Sequence, residues 1–180
     1  MHTIHYIAVE APSAQEAFDH VESEFCNDEG GSSPADWSDW CVVGGGRWSE
    51  NPNNQYNNSP EDVISYSDQP EKFMETLSKI KSWRKHEMNE ILQRVDFDII
   101  KSDIVDYISN DCILQDERRY DLNSYYIMKC MEMLRDYYNS DSHFYDLVDY
   151  NGATLKYLQE RLDNPDTAMR QYLVPVDFHF

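Results

Sequence analysis

The chain has 180 residues, enough for one domain with a hydrophobic core. Its 34 acidic residues against 15 Lys and Arg give a formal net charge of −19. This balance excludes broad binding to a phosphate backbone or an anionic membrane surface, since both need clustered cations. With 41% hydrophobic and 13% aromatic residues, the composition does not predict disorder.

Targeting signals and paired cysteines are not found in the sequence. No run of about 18 apolar residues predicts a transmembrane helix, and the first five residues (MHTIH) do not resemble a signal peptide. The four cysteines, Cys26, Cys41, Cys112 and Cys130, form no CxxC pair. We therefore expect a cytoplasmic protein whose cysteines are reduced, with Cys130 acting as a small core residue.

The first half of the chain predicts a strand, a helix and a second strand. Residues 3–9 are rich in β-branched and aromatic types, which favour a strand. Ser13 and Glu16 have capping-box spacing, and apolar residues follow at helical intervals over 14–25. Residues 40–43 predict a strand that ends at three glycines, and the Asn-rich segment 50–60 predicts an exposed, mobile loop.

The second half predicts mostly helix and returns to strand. Apolar periodicity indicates helices over 70–95, 97–108 and 122–138. Residues 143–150 and 172–180 predict strands, and Pro175 in the last one favours an edge position because proline donates no ladder hydrogen bond. The predicted class is α+β: a small, mostly antiparallel sheet built from both chain ends, with a largely helical middle over about 70–140. We expect a single domain over 1–180, with the middle as a helical insertion or subdomain.

The acidic residues favour two interpretations. One is solubility, since solvated carboxylates resist aggregation. The other is a carboxylate array that imitates nucleic-acid phosphates and occupies the basic groove of a nucleic-acid-binding protein. A shorter row on the first helix contains Glu10, Glu16, Asp19, Glu22 and Glu24. The main candidate row contains Asp96, Asp98, Asp103, Asp106, Asp111, Asp116, Glu117 and Asp121.

The most distinctive segment, residues 36–50, reads DWSDWCVVGGGRWSE. It holds three of the four tryptophans, Trp37, Trp40 and Trp48, and Arg47, the one Lys or Arg among the first 70 residues. These side chains either pack a corner of the sheet, with Arg47 paired to Asp36 or Asp39, or form a pocket with aromatic walls and one cation.

An Asp/Trp segment followed by a strand ending in Gly-Gly-Arg-Trp resembles a signature of small tailed-bacteriophage proteins that have no assigned activity. The resemblance covers about fifteen residues, 36–50, and the strand and helix before them; the third glycine departs from the pattern. It implies a phage origin rather than a mechanism. Small acidic phage proteins often inhibit host nucleic-acid enzymes or defence systems.

Catalytic and cofactor motifs are not found. The chain has no nucleophile elbow, P-loop, HExxH or EF-hand loop. His5 and His179 would meet if the terminal strands paired, yet two histidines alone make a weak metal site. We expect no catalytic residue, no metal and no cofactor.

Three hypotheses follow. The first is a phage-encoded, non-enzymatic acidic protein that binds and inhibits a host nucleic-acid-binding protein of defence or DNA metabolism, by nucleic-acid mimicry. The second is a small-molecule protein, such as a nucleotide sponge, whose site is formed by Trp37, Trp40, Arg47 and Trp48. The third is an assembly or interaction protein whose acidity serves only solubility.

Overall fold

The computed structural model describes residues 1–26, 38–96, 98, 101, 128, 130, 143–148 and 155–180. The chain divides into two compact units, one formed by residues 1–84 and 138–180 and the other by residues 85–137. The assignment of a single domain with a helical subdomain over 70–140 stays a prediction. In the described part of the chain, no helix is long and apolar enough to cross a membrane.

The first unit is built on a five-stranded, mostly antiparallel sheet that confirms the predicted α+β class. The order is β2-β5-β1-β4, and β3 also pairs with β5. Only the β1–β4 pair among these ladders is parallel. The strands are β1 (His2–Glu10), β2 (Trp40–Val43), β3 (Ile64–Ser65), β4 (Phe144–Asp146) and β5 (Gln171–His179).

The edge position expected from Pro175 is wrong, because β5 lies between β1 on one side and β2 and β3 on the other. Pro175 lies opposite the point where the chain leaves β2, and its carbonyl accepts hydrogen bonds from the N–H groups of Gly44 and Gly45 at 2.7 and 2.9 Å. No strand there requires an N–H from residue 175. A proline is therefore tolerated inside the sheet.

One face of the sheet is covered by α1 (Ala14–Phe25). The predicted N-cap is confirmed: the Ser13 hydroxyl accepts the N–H of Glu16 at 3.2 Å. Burial of the apolar side of this helix against β5 supplies most of the packing on this face, since the hydrophobic effect scales with the apolar area removed from water. The core here includes Phe18, Val21, Phe25, Val174, Val176 and Phe178.

The opposite face is covered by α2 (Pro70–Arg94), through its first turns, and by α3 (Leu155–Asp163). Proline suits the first helical position because its missing N–H has no partner there in any helix. The core on this side includes Ala8, Phe73, Leu77, Ile80, Leu158 and Leu173. A one-turn helix, α4 (Pro165–Ala168), leads into β5 and is capped by the side chain of Asn164.

The segment 50–60 is largely exposed, as expected, apart from buried Asn54, and it has local structure of its own; its mobility stays a prediction. Two short 3-10 turns, Pro52–Asn54 and Pro60–Asp62, organise it. The side-chain amides of Asn51 and Asn54 both donate to one carboxylate oxygen of Glu61 at 2.9 Å. These two hydrogen bonds lower the pKa of Glu61 below its usual range.

The cysteines differ in part from the expectation. Cys26, at the end of α1, forms a disulfide with Cys41 in β2, with their Cα atoms 6.3 Å apart. Cys130 is a free, buried residue beside Ile91 in the second unit, as expected, and burial raises the pKa of its thiol. Cys112 and most of the helices expected over 97–108 and 122–138 lie outside the described residues.

Candidate functional site

Three aromatic rings lie side by side at one end of the sheet. The register pairs His2 with His179 and His179 with Trp40, so that one residue from each of three neighbouring strands shares a row. The His2 and His179 ring centroids are 4.9 Å apart, and the Trp40 indole stacks on His179 at 5.0 Å with an interplanar angle of 11°. This row forms one wall of the site.

A tight turn after β2 brings Arg47 and Trp48 over the same row. Gly44, Gly45 and Gly46 all have positive φ, which only glycine adopts at low cost. The chain then forms a 3-10 turn over Gly46–Trp48, and the Trp48 ring lies 6.5 Å from that of His2. The three glycines that the sequence analysis noted therefore form the tight turn that returns residues 47 and 48 toward the sheet.

Asp177 fixes this turn from below. Its carboxylate is fully buried and accepts a hydrogen bond from the backbone N–H of Arg47 at 3.0 Å, while its other oxygen lies 2.9 Å from His2 Nδ1. A Cβ on Gly46 would come within 2.5 Å of the Asp177 side chain. The close approach therefore requires glycine, and the buried charge stabilises the turn by charge-assisted hydrogen bonds.

The outer surface of the turn is left open. Trp40 and Trp48 are 41% and 46% exposed. Within the described residues the guanidinium of Arg47 has no hydrogen bond, ion pair or ring contact, so it does not pair with Asp39 as one interpretation expected. Asp39 Oδ2 instead lies 3.4 Å from His179 Nδ1. We call the set His2, Trp40, Arg47, Trp48, Asp177 and His179 the aromatic corner.

A groove of about 480 Å³ adjoins the aromatic corner. One wall is the strand β2 at Trp40, Cys41 and Val42, and the other is the turn at Tyr56, Asn57 and Asn58. Tyr56 is 69% exposed. Three of the large hydrophobic side chains that the structure exposes, Trp40, Trp48 and Tyr56, therefore lie at this end of the sheet.

The structure places the other predicted site residues as follows. Asp96 and Asp98 are exposed, and the Asp98 N–H donates to Asp96 Oδ1 at 3.0 Å. Glu16 and Asp19 are exposed on α1, whereas Glu10 is removed from that row by its ion pair with Arg170 at 2.7 Å. Six of the eight residues in the main acidic row, Asp103, Asp106, Asp111, Asp116, Glu117 and Asp121, lie outside the described residues, as do Asp36 and Trp37.

Sequence reasoning missed two residues of the corner. It paired His179 with His5, whereas the register pairs His179 with His2. It also gave Asp177 no role, although a carboxylate inside an apolar strand needs a partner when it is buried. The sequence contained that signal, but it did not identify the partner of Asp177, because the partner depends on the register between β1 and β5.

A second polar cluster lies at the opposite end of β5. Arg161 donates to both oxygens of buried Asp146 at 2.8 Å and, through Nε, to Gln171 at 2.9 Å. Gln171 in turn reaches Glu10 at 3.4 Å. A cleft of about 320 Å³ beside it is lined by residues that include Glu10, His20 and Arg170. No group of three metal-ligating side chains occurs in the part of the chain that the structure describes.

Comparison with known proteins adds no relative: the chain matches no protein-family model, no curated protein and no solved structure. The functional argument therefore rests on the aromatic corner and on the charge of the chain.

Proposed function

We propose that this protein is a non-enzymatic binding protein that docks on a basic, nucleic-acid-binding protein of a bacterial host and inhibits it. The aromatic corner supplies the main contact, and the negative charge of the chain selects the partner. The single observation that carries the proposal is the open surface of the corner: it exposes two indoles, Trp40 and Trp48, and the side chain of Arg47, whose guanidinium has no partner within the described residues.

The chemistry of the corner suits a protein interface. Tryptophan, tyrosine and arginine are the residue types that dominate binding energy at such interfaces, because each buries a large area and offers a directed polar group. The corner and its groove present Trp40, Trp48, Tyr56 and Arg47 together. The turn that carries Arg47 and Trp48 is held by buried Asp177, so the surface is rigid before binding, which reduces the entropy lost on association.

The charge supports a basic partner. The net charge of −19 attracts a positively charged surface over long range and accelerates encounter. A nucleic-acid-binding groove is such a surface, and a carboxylate row seated in it blocks access of the phosphates. The resemblance of residues 36–50 to small proteins of tailed bacteriophages supports a bacterial target. In this proposal the acidic row over 96–121 binds in the nucleic-acid-binding groove of the partner, and the aromatic corner makes the main contact.

The test is capture of partners from a bacterial lysate by the tagged full-length chain, with identification by mass spectrometry. The comparison is between the natural chain, the double variant Trp40→Ala/Trp48→Ala and a matched control, Met169→Ala, which removes another exposed hydrophobic side chain. We expect a nucleic-acid-binding protein that is retained by the natural chain and the control and lost by the double variant. Equal retention by all three chains would overturn the role of the corner.

The acidic row is tested separately. Replacing Asp96, Asp98, Asp103 and Asp106 by Asn removes four negative charges without changing side-chain size. We expect the affinity for the captured partner to fall and its salt dependence to become shallower, because fewer ionic contacts are made. Unchanged affinity and salt dependence would contradict mimicry by this row while leaving the corner as the binding surface.

A second candidate function has its own observation. A corner that exposes two indoles and a guanidinium with no partner among the described residues also suits a nucleotide, since the cation would bind a phosphate and an indole would stack on the base. Tryptophan fluorescence titrated with a panel of nucleotides tests this sponge-like function. Quenching that is lost in Arg47→Ala would support it, and a flat titration across the panel would rule it out.

A further inference from the structure

The strand β2 carries an open hydrogen-bonding position at the groove. In its ladder with β5, Trp40 and Val42 direct their backbone groups toward β5, so those of Cys41 and Val43 point away from the sheet. Val43 is already satisfied: its N–H donates to Asn58 Oδ1 at 2.9 Å and its carbonyl accepts the N–H of Ser59 at 3.1 Å. Residues 58 and 59 therefore act at Val43 as a short neighbouring strand would.

The next outward position, Cys41, has no such neighbour. Its N–H has no acceptor and its carbonyl has no N–H or O–H donor in the described part of the chain. The groove of about 480 Å³ lies at this position, between β2 and the turn that carries Tyr56, Asn57 and Asn58. An unpaired strand edge beside a groove is the arrangement that accepts an extended peptide as an added strand.

The side chains around the groove select a basic segment. Trp40 and Tyr56 offer exposed aromatic faces, which attract cations. Asp39, whose side chain is 70% exposed, precedes Trp40, and the Glu22 carboxylate accepts the amide of Asn58 at 2.6 Å. Arginine or lysine side chains that alternate along an extended segment would meet both the aromatic faces and these carboxylates.

We infer that an extended, Arg- or Lys-bearing segment of the partner protein adds a strand to β2 at Cys41, with one basic side chain in the groove between Trp40 and Tyr56. The inference rests on the proposed function, because it specifies how the basic partner docks. The added strand would contact Trp40, which lines the groove, and would not contact Trp48.

The probe is a blocked hexapeptide that alternates arginine and valine, titrated into the full-length, 15N-labelled chain at low salt and followed by NMR. Two hydrogen bonds to Cys41 should slow hydrogen exchange of its amide by about tenfold or more at saturation. N-methylation of the peptide nitrogen that pairs with Cys41 should weaken binding roughly 3- to 10-fold, because one hydrogen bond is lost. A peptide with glutamate in place of arginine should not bind.

Two variants separate this inference from the proposed function. Tyr56→Ala should weaken the peptide by roughly 2- to 5-fold through loss of one aromatic face, whereas Met169→Ala, an exposed residue outside the groove and the corner, should leave peptide affinity unchanged. Peptide binding without protection of the Cys41 amide, or no binding at millimolar peptide, would overturn the added-strand inference even if partner capture depends on the corner. Peptide protection at Cys41 with partner capture unaffected by Trp40→Ala/Trp48→Ala would instead overturn the proposed function.

Discussion

The two ends of β5 each bury a carboxylate and solve the same physical problem in different ways. At one end Asp146 is held by the Arg161 side chain through two hydrogen bonds of 2.8 Å. At the other end Asp177 is held by His2 and by the backbone N–H of Arg47. Both carboxylates are satisfied, as buried charges must be. The two ends differ in whether the guanidinium of the nearby arginine is bonded within the fold or exposed.

The side chain of Arg161 bonds other residues of the fold. Its guanidinium is 11% exposed and is bonded to Asp146 and Gln171. Arg47 contributes its backbone N–H to the fold, and its side chain is exposed. The Asp146 end is a structural clamp, whereas in the proposed function the Asp177 end supports a binding surface. Four substitutions or conditions test this division.

The largest expected effect is at the clamp. Asp146→Asn removes the negative charge that the Arg161 guanidinium contacts through two hydrogen bonds of 2.8 Å. Breaking a buried ion pair on one side typically costs about 3–5 kcal/mol. Urea unfolding should show this loss in the free energy of unfolding, while exposed Asp166→Asn should change it by less than about 0.5 kcal/mol. A loss under about 1 kcal/mol at Asp146 would mean that the clamp does not hold the sheet end together.

A smaller loss is expected at the support. Gly46→Ala places a Cβ at a positive φ of 48° and against the Asp177 side chain. Backbone strain of this kind costs about 1–3 kcal/mol. Urea unfolding measures it, with Gln55→Ala in the neighbouring turn as the control. An unchanged free energy of unfolding would show that the turn is not held on Asp177.

Local features of this fold were predictable because they depend on neighbours in sequence. The capping residue Ser13, the strand that begins at Trp40 and the glycine turn were all identified from short patterns. Trp40, Arg47 and Trp48 were grouped because they are close in sequence; in the structure the Trp40 and Trp48 rings lie 5.4 and 6.5 Å from that of His2.

Non-local features were not predictable in the same way. The contact of Asp177 with His2 spans 175 positions, and the clamp joins two segments only through the register of β1, β4 and β5. The edge position expected from Pro175 failed for a related reason: the rule about edge strands assumes a continuous neighbouring strand, and here β2 ends at Val43, opposite Val176. Short sequence patterns predict individual helices and strands. Whether a charged side chain is buried depends on which strands pair, and that is not a local property.

A weaker, pH-dependent effect is expected in the turn segment beside the corner. Hydrogen bonds from Asn51 and Asn54 lower the pKa of Glu61 in the folded chain. The stabilisation is therefore present above the unfolded pKa of about 4.5 and is lost as pH falls through the lower folded pKa. Urea midpoints of the natural chain and of Glu61→Gln should differ near pH 7, and the difference should shrink steadily as the pH falls below 4.5. A difference that does not change with pH would contradict the carboxylate as its source.

The smallest effect on stability is expected at Arg47, and it separates the two ends most sharply. Arg47→Ala keeps the backbone N–H that binds Asp177 and removes only the exposed guanidinium, so the free energy of unfolding should change by less than about 0.5 kcal/mol. Retention of the captured partner should nevertheless fall, because the exposed cation of the corner is gone. Arg47→Lys should restore part of the retention, since it returns the charge without the planar donor fork. If Arg47→Ala destabilised the chain as much as Gly46→Ala, the Arg47 guanidinium would stabilise the fold as that of Arg161 does. The proposed difference between the two ends of β5 would then be wrong.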